Sequence, residues 1–291
     1  GGAKSFAETL SKTIESAGGK ILTRASVKEV LIQNNQAVGV LLKDGKTYSS
    51  EHIISAAGAK TTVQNLLPAT EQKKSWAKSI AKLEQSPSYI TLYMGFEGDI
   101  LKAGATKANQ FHFETWNMED AFWDLTDPKA LAPCLYVSFP SLKDPKHNPG
   151  PNQMHTGEVV TFVPWDLFEK WKHTRRGNRE TDYMEFKKQL EKRLLDQVMH
   201  HLPNLKPLLK FHELSTPLSA SFFIQAPQGA IYGLNPTPKR FGTTELRTRT
   251  PVKGFYLSGC DVATLGVAGA LAGGILTAGT LEPPILKKLI R

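Results

Sequence analysis

The chain has 291 residues, 40% of them hydrophobic, enough for one large domain or two moderate ones. Its 36 Lys and Arg against 27 Asp and Glu leave a net charge of +9, spread through 73–82 and 170–193 with acids interspersed. That reads as a solvated basic surface, with a membrane surface or another anionic partner left open. Two cysteines, Cys134 and Cys260, make no disulfide framework; no Cys/His spacing suits zinc, and no nucleic-acid motif occurs.

The chain opens on Gly1-Gly2 with no initiator Met and no signal peptide, which reads as a fragment, a processed chain or a truncated one. From Ser5 to Ala17, apolar residues at Phe6, Leu10, Ile14 and Ala17 predict a helix that Gly18-Gly19 ends. Strands are predicted at 20–23, 27–32, 37–42 and 52–56, with turns at Asn34-Asn35 and Asp44-Gly45. A short helix over 61–67 stops at Pro68. From about Trp76 the texture changes to strands at 88–96, 110–115, 135–139 and 156–163, with a loop over 141–153. Thr181 to Leu202 has the apolar spacing of a long amphipathic helix, ended by Pro203. A strand at 211–218, a buried strand at 254–258 and a Gly/Ala-rich helix at 264–281 complete the chain.

Val262 to Leu281 is twenty residues without a charge, long enough for a bilayer, with Gly266, Ala270 and Gly274 four apart as in membrane helix interfaces. Its five glycines are poor for a lone helix, and no basic cluster lies immediately before it. The other reading is a buried helix in a soluble α/β domain whose start faces a cleft. A helix N-terminus offers free N–H groups and partial positive charge, Gly266 and Gly269 admit a planar ligand, and Asp261 at the strand end is placed to accept sugar hydroxyls.

"YLSGCDVATLGVAGALAGG" resembles the C-terminal signature of FAD-dependent carotenoid desaturases and isomerases and of retinol saturases. "SFFIQAPQGAIYGLNPTPKRF", "LRTRTPVKGFYLSG", "CLYVSFPSLKDP", "VPWDLFEKW" and "LSKTIESAGGKILTRASVKEVLI" extend the resemblance over nearly the whole chain. It implies an α/β (α+β) flavoprotein fold, Rossmann-like and incomplete, with an inserted mixed-sheet substrate domain. Residues 1–70 and 215–291 would form the FAD-binding part and 71–214 the substrate domain. By the same resemblance, Val27 matches the residue at the adenine edge, and Ala57 and Gly58 a small turn near the cofactor. Gly259 and Asp261 match the pair at the ribityl chain and pyrophosphate; Gly266, Val267 and Ala268 match the helix start under the flavin ring. Phe222 and Tyr232 would wall the flavin-facing pocket.

Two departures stand out. No GxGxxG occurs, so this stretch alone is expected to hold FAD poorly and to be inactive. Leu265 stands where the family often has Pro, and Cys260 where Gln is common; Cys260 reads as a small packed residue, a redox thiol or a flavin attachment point. The implied activity is a redox change or isomerisation of C=C bonds in an apolar polyene or isoprenoid, with peripheral membrane contact and a cytoplasmic or membrane-surface location. The alternatives are a flavin amine oxidase-like enzyme and a non-enzymatic membrane-associated protein. His112, His155, His200 and His201 show no metal or triad spacing. Asp166, Glu169 and Asp182 read as surface groups. Phe111, Phe113, Trp116, Phe122 and Trp123 read as core or as the lining of an apolar tunnel.

Overall fold

The computed structural model describes residues 2–117, 119 and 121–289. In chain order the elements used below are helix α1 (Lys4–Ser16), strands β1 (Val27–Gln33), β2 (Gln36–Leu42), β3 (Thr47–Ser49), β4 (Ile53–Ser55), β5 (Ser88–Glu97), β6 (Gln110–Phe113), β7 (Cys134–Ser138) and β8 (Met154–Val163), helix α2 (Thr181–His201), strand β9 (Leu209–Ser215), helices α3 (Pro217–Phe223) and α4 (Pro238–Gly242), strand β10 (Phe255–Leu257) and helix α5 (Gly266–Leu281). The strand expected at 20–23 is irregular chain.

The chain forms two compact units. One joins the segment ending at Ile21 to Pro87–Ile231; the other joins Leu22–Ser86 to the segment from Tyr232 onward. These boundaries differ from the expected 1–70, 71–214 and 215–291, for packing reasons. Helix α1 buries none of its residues and adds nothing to the second unit's core. Trp76, Ala77, Ile80 and Leu83 do enter that core, beside Val30, Phe255 and Leu257. At the other boundary, Leu218 enters the first unit's core and Ala230 bridges Ser88 of β5, so the segment after β9 stays with that unit.

In the first unit, β6-β7-β8-β5-β9 form one sheet, antiparallel at every pairing rather than mixed. Period-2 alternation on β5 turns Ile90, Leu92, Met94 and Phe96 inward, where Leu190, Leu194 and Val198 of α2 cover them. Each such side chain contributes about 1.5–3 kcal/mol by leaving water. The five aromatics singled out above divide: Trp123 is core, its Nε1–H donating to the Ala130 carbonyl at 2.8 Å, while Phe111, Phe113, Trp116 and Phe122 are exposed.

In the second unit, β1-β2-β3 form an antiparallel meander and β4 and β10 a parallel pair. The β1–β2 turn places Asn34 and Asn35 at φ 48° and 59°, the left-handed conformation a tight hairpin requires and Asn tolerates. Helix α5 is buried on one face only. Gly269, Gly273 and Thr277 line that face, and the Thr277 hydroxyl donates to the Leu257 carbonyl at 3.1 Å. A Cβ at Gly269 would overlap the Thr264 carbonyl oxygen, and one at Gly273 the Gly259 carbonyl oxygen. The stripe Gly266, Ala270, Gly274 is therefore not the packing stripe. The buried helix expected here is buried on this face alone: Val267, Leu271, Ile275 and Leu276 are exposed on the other side, because only the small residues fit against the end of β10 and the turn after it. Among the described residues no helix is long and apolar enough to cross a membrane.

Gly273→Ala should lower stability by about 1–3 kcal/mol through overpacking. Gly274→Ala, with open space at its Cα, should raise stability by about 0.5–1 kcal/mol through helix propensity. Urea denaturation of the two variants checks this, and equal effects would contradict the packing of α5 described here.

Candidate functional site

Parallel pairing sets Phe255, Tyr256 and Leu257 opposite Ile53, Ile54 and Ser55, and the Ser258 N–H donates to the Ser55 carbonyl at 2.9 Å. The two strands thus release the chain at the same end. After β4 comes the turn Ala56-Ala57-Gly58; after β10 comes Ser258-Gly259-Cys260-Asp261. Ligands of parallel α/β sheets bind at such carboxyl ends.

Asp261 ties the two turns together. Its carboxylate accepts the Ala59 N–H at 2.7 Å through Oδ2 and the Leu234 N–H at 2.9 Å through Oδ1, and the residue is 4% exposed. Arg240, 2% exposed, donates its guanidinium to the carbonyls of Leu234, Cys260 and Asp261. Carboxylate and guanidinium therefore meet at Leu234, which the carboxylate joins to Ala59 after β4 and the guanidinium joins to the turn after β10. Gly233 belongs to this knot. It sits at φ +76°, and a Cβ there would stand 2.5 Å from Asp261 Oδ1. Gly259, at φ +94°, lets the chain leave β10 in a conformation other residues rarely adopt.

Helix α5 starts beside these turns without a cap. Leu265 at the N-cap makes no side-chain hydrogen bond, and the first turn holds no acid. Gly266 has open space at its Cα, and Val267 and Ala268 are exposed. With no side chain capping its first N–H groups and a partial positive charge of about +0.5, this helix start suits an anionic or polarisable ligand.

The structure brings Ala57, Gly58, Gly259 and Asp261 into one knot, with Gly266, Val267 and Ala268 opening the adjoining helix. It turns the Asp261 side chain inward, so the direct hydroxyl contact expected of that carboxylate gives way to an organising role. Val27 lies elsewhere in the unit, half-buried at the start of β1 opposite Leu42. Phe222 belongs to the other unit, exposed, its ring edge-on to Phe223 at 5.1 Å. Tyr232 is exposed; its backbone N–H is held by Ser86 Oγ at 2.9 Å, and its carbonyl faces Cys260 Sγ at 3.7 Å. Burial, then the Asp261 carboxylate, push the Cys260 thiol up against the opposing pull of Arg240. A thiol held protonated suits packing better than redox or attachment chemistry. Leu234, Gly233 and Arg240 escaped the sequence reading. Their segment, "AIYGLNPTPKRF", carried the resemblance without marking which residues reach Asp261.

The histidines also hold a surprise, in the first unit. His201 Nε2 lies 2.6 Å from Glu114 Oε1, which also accepts from Gln197 Nε2 at 2.7 Å, and the His112 and His201 rings stand 4.7 Å apart. Residues 87 apart make this contact, so no local spacing could reveal it. Among the described residues no group could hold a metal. Glu169 and Asp182 make exposed ion pairs with Lys172 and Lys170.

Glycine turns at parallel strand ends beside an uncapped helix start suit the phosphate and sugar of a nucleotide cofactor. Residues 1–281 match the flavin containing amine oxidoreductases, and the chain belongs to that family. It is 31% identical over 97% of its length to an all-trans-retinol 13,14-reductase of Danio rerio, covering 48% of that protein. It is 25% identical over 89% of its length to a chloroplastic prolycopene isomerase of Arabidopsis thaliana, covering 41% of it. The chain thus spans about half the length of the curated relatives it matches. An oxidoreductase structure from Methanosarcina mazei shares the fold with a TM-score of 0.60 at 16% identity, over 96% of this chain and 54% of that one.

Asp261→Ala should destabilise the second unit by about 1–3 kcal/mol for each buried N–H left unpaired. Asp261→Asn, which keeps one acceptor oxygen, should cost less. Chemical denaturation ranks the two, and an Asp261→Ala protein as stable as the parent would contradict the clamp.

Burial, then His201, lower the His112 pKa while Glu114 opposes them, so the ring is neutral in the fold when the unfolded chain already takes up a proton. Its contribution to stability is present above about pH 6.5 and lost as pH falls toward the depressed folded value. The melting temperature of His112→Gln should therefore fall less than the parent's between pH 7 and pH 5; parallel curves would contradict this.

Proposed function

We propose that this chain is part of an FAD-dependent oxidoreductase that changes the C=C bonds of an apolar polyene or isoprenoid by hydrogen transfer or isomerisation. The observation that carries the reading is the 31% identity to the zebrafish retinol reductase over 97% of the chain, strand-end turns and α5 included. The prolycopene isomerase supports the same substrate class.

When bound, FAD would supply the hydride exchange at carbon. The chain's own residues would do the rest. Gly259 and Gly58 would let the backbone approach the cofactor's phosphate and sugar portion, held in place by Asp261 and Arg240. The free N–H groups of Gly266, Val267 and Ala268 would favour negative charge on the flavin ring. Val27 would meet the adenine edge, and Tyr232 would contribute an apolar wall that excludes water. With no GxGxxG turn in its sequence, the chain by itself would retain FAD weakly. The charge of +9 suits drawing such a substrate from an anionic membrane.

Two measurements test this on the purified full-length protein of which this chain is part. An acid in the first helical turn is favourable by about 0.3–1 kcal/mol, so Ala268→Glu should leave the melting temperature equal or higher, yet it should lower flavin retention. Unchanged retention would remove α5 from the cofactor site. The visible flavin band is then followed with all-trans-retinol, a cis-carotenoid and benzylamine. Polyenes should exchange hydrogen with the flavin or change their own spectrum; bleaching by the amine alone would overturn the substrate class.

A further inference from the structure

The first unit contains a cavity of about 560 Å³ at the β9 edge of its sheet, between the start of α2, the loop before it and α3. That volume lies within the range of small-molecule pockets, roughly 300–1,000 Å³. Three of its described lining residues are cations, Arg176, Arg179 and Lys187, and one is a carboxylate, Glu213. Two positive charges are thus in excess. Glu213 offsets little of this, because its oxygen stands 3.9 Å from Lys187 Nζ and its side chain is largely exposed.

Arg179 is held in place by Tyr183. Its Nη1–H donates to the Tyr183 hydroxyl at 3.1 Å, its guanidinium lies 4.8 Å from the Tyr183 ring, and the hydroxyl is in turn 2.9 Å from Thr216 Oγ1. Beside the cations the wall is apolar: Met184, Leu214 and the rings of Tyr93 and Phe223 line it, and the Arg176 guanidinium lies 4.6 Å from the Phe223 ring.

We propose that this cavity binds an anionic amphiphile, its carboxylate or phosphate head on Arg176, Arg179 and Lys187 and its apolar stem against Met184, Leu214 and Phe223. Guanidinium groups bind oxyanions through paired N–H donors, and the excess of charge favours an anion over a neutral stem. A concave wall favours one molecule over a bilayer. The proposal stands on the first unit alone and is independent of the flavin reading.

Calorimetric titration of the purified protein with dodecyl phosphate and dodecanoate, both below micelle formation, tests it. Inorganic phosphate, 1-dodecanol and phosphatidylglycerol vesicles serve as the contrasting probes. The amphiphilic anions should bind at least about tenfold more tightly than dodecanol or inorganic phosphate, weaken with salt, and lose about tenfold in Arg179→Gln, the loss expected for one charge-assisted hydrogen bond. Arg176→Gln, on an exposed side chain, should weaken them too and serves if Arg179→Gln fails to fold. Equal binding of dodecanol, unchanged affinity in both Arg176→Gln and Lys187→Gln, or binding to vesicles without binding of the soluble amphiphiles would overturn it.

Discussion

A buried carboxylate and a buried guanidinium, each answered by backbone rather than by the other, hold the second unit's turns in place. Asp261 gathers two N–H groups from segments 202 and 27 residues away. Arg240 gathers three carbonyls, two of them from the same strand-end turn. Neither charge could be buried without those partners, since an uncompensated ion in the interior costs several kcal/mol. The glycines around them follow from the same constraint: Gly233 is glycine because Asp261 Oδ1 occupies the place of its Cβ.

Helix α5 extends that constraint outward. Its small-residue face lets Gly273 meet the Gly259 carbonyl and Thr277 meet Leu257, so strand, turn and helix start form one rigid piece. A rigid piece with an uncapped helix start is a preorganised ligand platform, because no side chain has to be displaced for the N–H groups to act. The first unit follows a different logic. Its sheet and α2 enclose a continuous apolar core, and its ionisable groups collect at the margins, in the Glu114–His201 contact and around Arg179.

Much of this architecture could be read from residue order. Period-2 alternation located β5 and β8, the Asn34-Asn35 turn located the meander, and the uncharged run with Gly-Cys-Asp before it located β10 and α5. The helix over 181–202 was legible because its apolar spacing is periodic and Pro203 stops it. What could not be read was long-range. The buried stripe of α5 is offset from the stripe that spacing suggested, because the surface it meets is the end of β10 and the turn after it, which the helix's own sequence does not describe. The inward turn of Asp261 depends on Ala59 and Leu234, and the place of residues 71–86 in the second core depends on Val30 and Phe255. The family signature drew attention to the strand-end turn but not to the direction in which the Asp261 carboxylate points.

The two amides that Asp261 holds have a kinetic consequence. The N–H groups of Ala59 and Leu234 lie outside any ladder between strands, so a single side chain shields them from exchange with solvent. Their exchange rates therefore report the local opening free energy of this knot, separately from the global unfolding that governs amides of the sheet core. A ligand that settles on the neighbouring turns would slow these two amides together, across a gap of 175 residues in sequence, while leaving the meander's amides at their own rates.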